Sequence, residues 1–264
     1  MKRILLVHQM KINRGLLNRD VTLRIMLPKS YMDSPKRNYP VLYMMDGQNL
    51  YNDFESSYGS SWNFIESFED ETTNIPEIII IGIDSADGYE ILNEYSPWKF
   101  TFNGNTYGGK GDDFLKWVTE DLKPWIDSEY RTMAKADYTA IGGSGMGGLI
   151  SHYALMKYSN TFTRAATISN FYWKVEQDIL EYINSEFSNV DKIKYWYTSV
   201  GTNETNNPKI FEDASDVVYN LLIKKGLDER KLMYDVIEGG EHNERSWAKI
   251  VPVFIKHIYQ DFVD

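Results

Sequence analysis

The chain has 264 residues, 42% hydrophobic and 25% charged, which suits one globular domain over 1–264 with a sizeable core. A net charge of −10 argues against a nucleic-acid or anionic-membrane partner, and the lack of cysteine excludes disulfides and thiolate-held metals. No apolar run approaches the roughly 20 residues of a membrane span, and Ile4 to Val7 is too short for a signal-peptide core, so a cytoplasmic protein is expected.

In chain order, strands are expected over 2–10 and 21–28, the second alternating from Val21 to Leu27 and stopped by Pro28. The nearly continuous apolar run over 39–45 reads as a strand covered on both faces. A helix is expected over 61–69 and a central parallel strand over 77–84. Residues 85–112 show little periodicity and read as a long loop over the carboxyl ends of the strands, a usual place for function. An amphipathic helix over 112–129 follows, with a kink expected at Pro124. Further strands are expected over 164–169, 194–200 and 232–237, and helices over 146–157, 208–226 and 245–262. This alternation implies an α/β fold, an αβα sandwich with a mostly parallel sheet. The aromatic share of 14% is high; the surplus rings either line a groove or serve as core and surface tyrosines.

At the centre lies Tyr138-Thr139-Ala140-Ile141-Gly142-Gly143-Ser144-Gly145-Met146-Gly147-Gly148, a buried strand that turns sharply into a helix. Gly143 and Gly147 are the unbulky flanks that a G-x-S-x-G nucleophile elbow needs, but the midpoint is Gly145, and Ser144 stands one place early. The segment resembles the elbow of the esterase branch of the α/β-hydrolases, whose run is G-x-S-M-G-G and which includes feruloyl, acetyl-xylan and siderophore esterases and S-formylglutathione hydrolases. Other stretches are similar to that family's motifs: Asp46-Gly47-Gln48-Asn49-Leu50-Tyr51 with Met45 where the family has histidine, Glu94-Tyr95-Ser96-Pro97-Trp98, and 123–132 leading into the elbow strand. An N-terminal antiparallel hairpin before the parallel sheet is typical of the family.

The resemblance implies a carboxylic-ester hydrolase of the Ser-His-Asp/Glu type acting on a small acyl, phenolic or sugar ester, with Gly145 at the nucleophile position. Gly201-Thr202-Asn203-Glu204 is similar to the family's G-T-x-[DE] and places the acid at Glu204, with Glu241 and Asp213 as competitors. Gly239-Gly240-Glu241-His242, with Trp247 after it, is similar to G-G-x-H…W and places the base at His242. The implied oxyanion donors are the amides of Gln48 and Met146. Candidate substrate contacts are Tyr95, Trp98, Tyr172 and Trp173, and His152 reads as structural. No cofactor or metal is expected, and the oligomeric state is open, a homo-oligomer included. Three readings remain for a chain without an oxygen at position 145. They are an esterase disabled at its serine, a catalytically dead homologue that binds a ligand or partner, and residual hydrolysis by Ser144 or a His242-activated water. Ser144 is the weakest, because a one-residue shift along an extended segment turns a side chain away from the histidine.

Overall fold

The computed structural model describes residues 3–207 and 209–263. The expected starts of the first strand at Lys2 and of a helix at Pro208 lie outside the described residues. Among the described residues ten strands run in chain order: β1 Ile4–Arg14, β2 Leu17–Leu27, β3 Val41–Met45, β4 Ile79–Ile83, β5 Lys99–Phe102, β6 Asn105–Gly108, β7 Thr139–Ser144, β8 Arg164–Ile168, β9 Tyr195–Asn203 and β10 Leu232–Glu241. All but β5 and β6 form one sheet of order β1-β2-β4-β3-β7-β8-β9-β10. β1–β2 and β2–β4 are antiparallel, and every pairing from β4 through β10 is parallel.

The first hairpin is longer than its apolar pattern suggests. β1 pairs from Ile4 opposite Leu27 to Arg14 opposite Leu17, turning at Gly15 with φ 53°. β1 is an edge strand, so Lys11, Asn13 and Arg14 tolerate solvent while Ile12, Leu17 and Val21 hold the buried face.

Strand alternation divides the core in two. Tyr43, Met45, Ile79, Ile81 and Ile83 point into one apolar cluster, and Leu42, Met44, Ile78 and Ile80 into the other. The first is closed by α3 (Gly111–Trp117), α5 (Met146–Lys157), α6 (Glu176–Ser185) and α7 (Lys209–Lys224), the second by α1 (Phe64–Glu69), α8 (Glu244–Ala248) and α9 (Val251–Ile258). Among the described residues no helix is long and apolar enough to cross a membrane.

Three local readings change. The stretch 85–112 is not one loop: it holds α2 (Glu90–Glu94) and the β5–β6 hairpin, turned at Asn103 and Gly104 with φ 49° and 79°. Two successive positive φ values form the Asn-Gly turn that matches strand twist. The helix across Pro124 is not one regular α-helix: α3 runs through a wide turn at Val118–Leu122 into α4 (Lys123–Glu129). Pro124 has no N–H and its ring crowds the preceding turn, and the wider turn relieves both. The expected final helix is split at Lys249 and Ile250, with Pro252 in the first turn of α9.

Candidate active site

The sheet order reverses between β3 and β7: β3 has β4 on one side and β7 on the other, and the chain then proceeds outward to β8. Ligand crevices in open α/β sheets form at such a switch point, beyond the carboxyl ends of the strands. The segments that leave β3 and β7 are 46–49 and the elbow at Gly145.

Close packing explains the glycines of the elbow. A Cβ on Gly143 would lie 2.8 Å from the Gly147 carbonyl carbon and 2.9 Å from Met45 Cβ, and one on Gly147 would lie 2.9 Å from Met45 Cβ. Any side chain at either position would force β3 and the elbow apart. Gly145 has φ 56° and ψ −117°, a conformation that side chains rarely adopt. A Cβ built there points at the imidazole, 3.2 Å from His242 Nε2.

Glu204 and His242 follow the neighbouring parallel strands β9 and β10, which delivers them side by side. The register shifts between Ile237 and Glu241, and Gly239, at φ 68°, donates its N–H to Thr202 Oγ1 at 2.8 Å. This irregularity folds the His242 loop back over β9. His242 Nδ1 lies 2.6 Å from Glu204 Oε2, a contact that in the neutral imidazole keeps the proton on Nδ1 and leaves Nε2, which faces Gly145, as the acceptor. Glu204 Oε1 accepts from Ser169 Oγ at 2.6 Å and from the Gly201 amide at 2.7 Å, so three donors fix the carboxylate. Of the competing acids, Asp213 pairs with Lys209 at 2.8 Å on the surface, and Glu241 accepts from Asn243 at 2.8 Å.

The imidazole is framed by Phe211 and Trp247, with ring centroids 5.3 and 5.1 Å away. Trp247 Nε1 donates to Ser169 Oγ at 2.9 Å, which links the ring that abuts His242 to the group that orients Glu204. Ser169 itself sits at φ 51°, a strained position for a residue with a Cβ. Sequence reasoning did not single out Ser169 or Phe211, which have no motif of their own. Asn49 and Glu244 were also passed over, although they lie within quoted or adjacent segments.

On the β3 side, the Gln48 side chain is held by Ser85, Nε2 donating to Ser85 Oγ at 2.8 Å and Oε1 accepting from the Ser85 amide at 3.1 Å. Asn49 Nδ2 donates to Glu244 Oε1 at 3.0 Å, tying this loop to the His242 loop. Asp46 sits at φ 57°, and burial pushes its carboxyl up to about 7, with the charge of Glu244 adding to the rise. Met146 opens α5, whose N-terminus carries unsatisfied amides and the positive end of the helix dipole. Among the described residues neither the Gln48 nor the Met146 amide is taken by a protein acceptor.

A cavity of about 720 Å³ lies over these groups, with His242, Gln48, Ser144, Tyr58 and Trp247 in its wall. The four predicted aromatic contacts do not line it. Tyr95 and Tyr172 are core residues, 0% and 2% exposed, and Tyr172 Oη bonds His152 Nδ1 at 2.7 Å. Trp98 packs edge-on against Tyr153 and Tyr182, and Trp173 packs on Phe171 and Phe211. In the 93–110 segment Tyr95 turns inward onto Phe114 of α3 and Trp98 onto α5 and α6, while Tyr172 and Trp173 pack beneath the loop that follows β8. Of residues 85–112 only the start, including Ser85, Asp87 and Ile91, reaches the cavity. Ser144, the last residue of β7, lines the same cavity as His242, but among the described residues no hydrogen bond joins the two. His152 is fully buried against Trp196, and burial lowers its pKa to about 3.

Residues 15–255 match the family model described as Putative esterase. A Bacillus subtilis protein, YbbA, is 26% identical over 241 residues, covering 88% of this chain and 89% of that one. Among solved structures, a ferulic acid esterase superposes with a TM-score of 0.74 at 16% identity, covering 98% of this chain and 99% of that one. An IroE-like serine hydrolase from Shewanella oneidensis gives a TM-score of 0.76 at 20% identity, covering 99% and 82%. At such identities the structural likeness speaks for the fold. The family match over most of the chain carries the rest: this protein belongs to the putative-esterase family and is built on an α/β-hydrolase-like esterase scaffold.

Proposed function

We propose that the chain is a single-domain carboxylic-ester hydrolase of the serine type in which Gly145 replaces the nucleophile, leaving turnover severely impaired. The observation that supports it is the alignment of three positions. Glu204 holds His242 at 2.6 Å, and the Cβ direction of Gly145 ends 3.2 Å from His242 Nε2. With serine at 145, Nε2 would take the hydroxyl proton as Oγ attacks the ester carbonyl. The amides of Gln48 and Met146 would stabilise the oxyanion, and His242 would return the proton to the departing alkoxide. A water would then repeat the sequence on the acyl-enzyme, releasing the acid. Glycine removes the attacking atom and leaves the rest of the machinery, so what remains is on the order of 10³–10⁴-fold over water. Its partner is a small-molecule ester with an acyl, phenolic or sugar part, and its setting is cytoplasmic.

The test is a side-by-side assay of this chain, Gly145→Ser and Ser144→Ala on short p-nitrophenyl esters. Gly145→Ser is expected to gain activity by several orders of magnitude. Silence from it would overturn the reading and favour a catalytically dead homologue that uses the cleft for binding. Residual activity of this chain that vanishes in Ser144→Ala would assign that remnant to Ser144, which shares the cavity wall with His242.

A further inference from the structure

The cavity over the elbow is walled by acid. Asp46, Glu55, Asp84, Asp87 and Glu244 line it, and among the described residues no lysine or arginine does. Arg24 offsets two of these, lying 2.8 Å from Glu55 Oε2 and 2.8 Å from Asp84 Oδ1. Asp46, Asp87 and Glu244 enter no ion pair with lysine or arginine among the described residues.

Glu244 decides what the acid is for. Its side chain is 2% exposed, and Oε1 accepts from Asn49. Oε2 is buried and meets no donor among the described residues. A bare carboxylate oxygen in such surroundings is costly until a donor reaches it, and a cationic donor suits it best. Burial pushes the Glu244 carboxyl upward, against the hydrogen bonds it accepts and the neighbouring His242. Tyr58, 77% exposed, presents an aromatic ring in the same wall, a favourable surface for an ammonium group. Among the described residues no three His, Asp or Glu side chains converge tightly enough to hold a metal ion. The carboxyls are spread along a cavity of about 720 Å³, the scale of an organic ligand.

We propose that this cleft selects esters carrying a primary ammonium group, with Glu244 Oε2 as its acceptor, Asp46 and Asp87 supplying the surrounding negative field, and Tyr58 flanking it. The proposal rests on the esterase reading for the word ester, but the ammonium subsite is testable by binding alone. On that reading a chain with Gly145 consumes its ligand slowly at most, which suits calorimetry on it.

The experiment titrates the chain at pH 7.5 with two matched pairs. One pair is ethyl 4-(aminomethyl)benzoate and ethyl 4-(hydroxymethyl)benzoate; the other is 4-(aminomethyl)benzyl acetate and 4-(hydroxymethyl)benzyl acetate. They carry the ammonium on the acyl or the alcohol side. At least one ammonium ester is expected to bind about tenfold or more tightly than its hydroxyl counterpart, as a hydrogen bond to a charged group implies. The preference should weaken with added salt, collapse in Glu244→Gln and shrink in Asp87→Asn. Asp87 is exposed, so its variant reads the subsite even if Glu244→Gln fails to fold. Equal binding within both pairs, or a preference that survives both substitutions, overturns the proposal. Turnover of neutral esters by Gly145→Ser without any ammonium preference would sink the subsite and keep the esterase. Ammonium binding with a silent Gly145→Ser would do the reverse.

Discussion

On the proposed esterase reading, position 145 sets a stability–function exchange at one residue. With φ 56° and ψ −117°, it lies where a side chain costs of order 1–3 kcal/mol, and glycine avoids that cost. Gly145→Ser is therefore expected to unfold more easily by about that amount while gaining hydrolytic activity. Denaturant titration beside the ester assay measures both, and a serine form more stable than its parent would contradict this account. In the Gly145→Ser background, Glu204→Gln should lower kcat on the order of 10⁴-fold with little change in KM, because a glutamine amide no longer selects the tautomer that leaves Nε2 free. Ser169→Ala removes one of the three donors to Glu204 and the acceptor of Trp247 Nε1. A loss of about 1–2 kcal/mol in stability and a smaller loss in kcat are the expected outcome, read by unfolding and single-turnover rates.

The element that carries the proposed oxyanion donor is the turn after β3, and it is held by contact with its neighbour strand. A Cβ on Gly47 would sit 2.6 Å from the Gly82 carbonyl carbon in β4, and backbone cannot move aside as a side chain can. Gly47→Ala should therefore displace the turn, costing about 1–3 kcal/mol of stability as an overpacked site does. In the Gly145→Ser background it should also lower kcat by about 10²–10³, the scale of one lost oxyanion donor. A crystal structure or thermal melt together with kinetics checks it. An active, undisturbed Gly47→Ala form would mean that this turn supplies no catalytic amide. Element neighbours matter in the same way for the acid and base, since β9 and β10 are adjacent and parallel and so bring residues 38 positions apart into a 2.6 Å hydrogen bond.

For the whole molecule, pH sets two opposed tendencies. Burial holds His152 near a pKa of about 3, against 6.5 when unfolded, so the folded chain binds fewer protons between those values. Its contribution is present above pH 6.5 and is lost as pH falls through the window, by at most about 1.4 kcal/mol per unit. Asp46, raised from 3.8 to about 7, works the other way, removing stability as pH rises from about 4 toward 7. His152→Gln should therefore gain on its parent as pH drops from 6 to 4, and Asp46→Asn should gain on its parent as pH climbs from 4 to 7. Urea unfolding at several pH values reads both slopes, and parallel curves for variant and parent would refute either assignment.

How much of this was legible follows from what each feature depends on. The layered α/β fold was readable because a strand buried on both faces must be apolar throughout, as 41–45 and 78–83 are, and because glycine spacing marks a tight strand-to-helix turn. Glu204 and His242 were readable because their loops close strands in fixed order. None of the four candidate aromatic residues lines the cavity, because a ring in a loop is equally at home in a core or a cleft. Only the packing of this segment onto α3, α5 and α6 sent Tyr95 and Trp98 inward. The missed hairpin carried its signal in Asn103-Gly104, but its strands are four residues each and half exposed, too short for alternation to declare itself. Ser169, Asn49 and Glu244 lay beyond reading from sequence, since a hydrogen bond between distant loops leaves no local pattern. Chain order determined which residues stand at the strand ends; tertiary packing decided which of them face one another, because that depends on strand neighbours that no local stretch encodes.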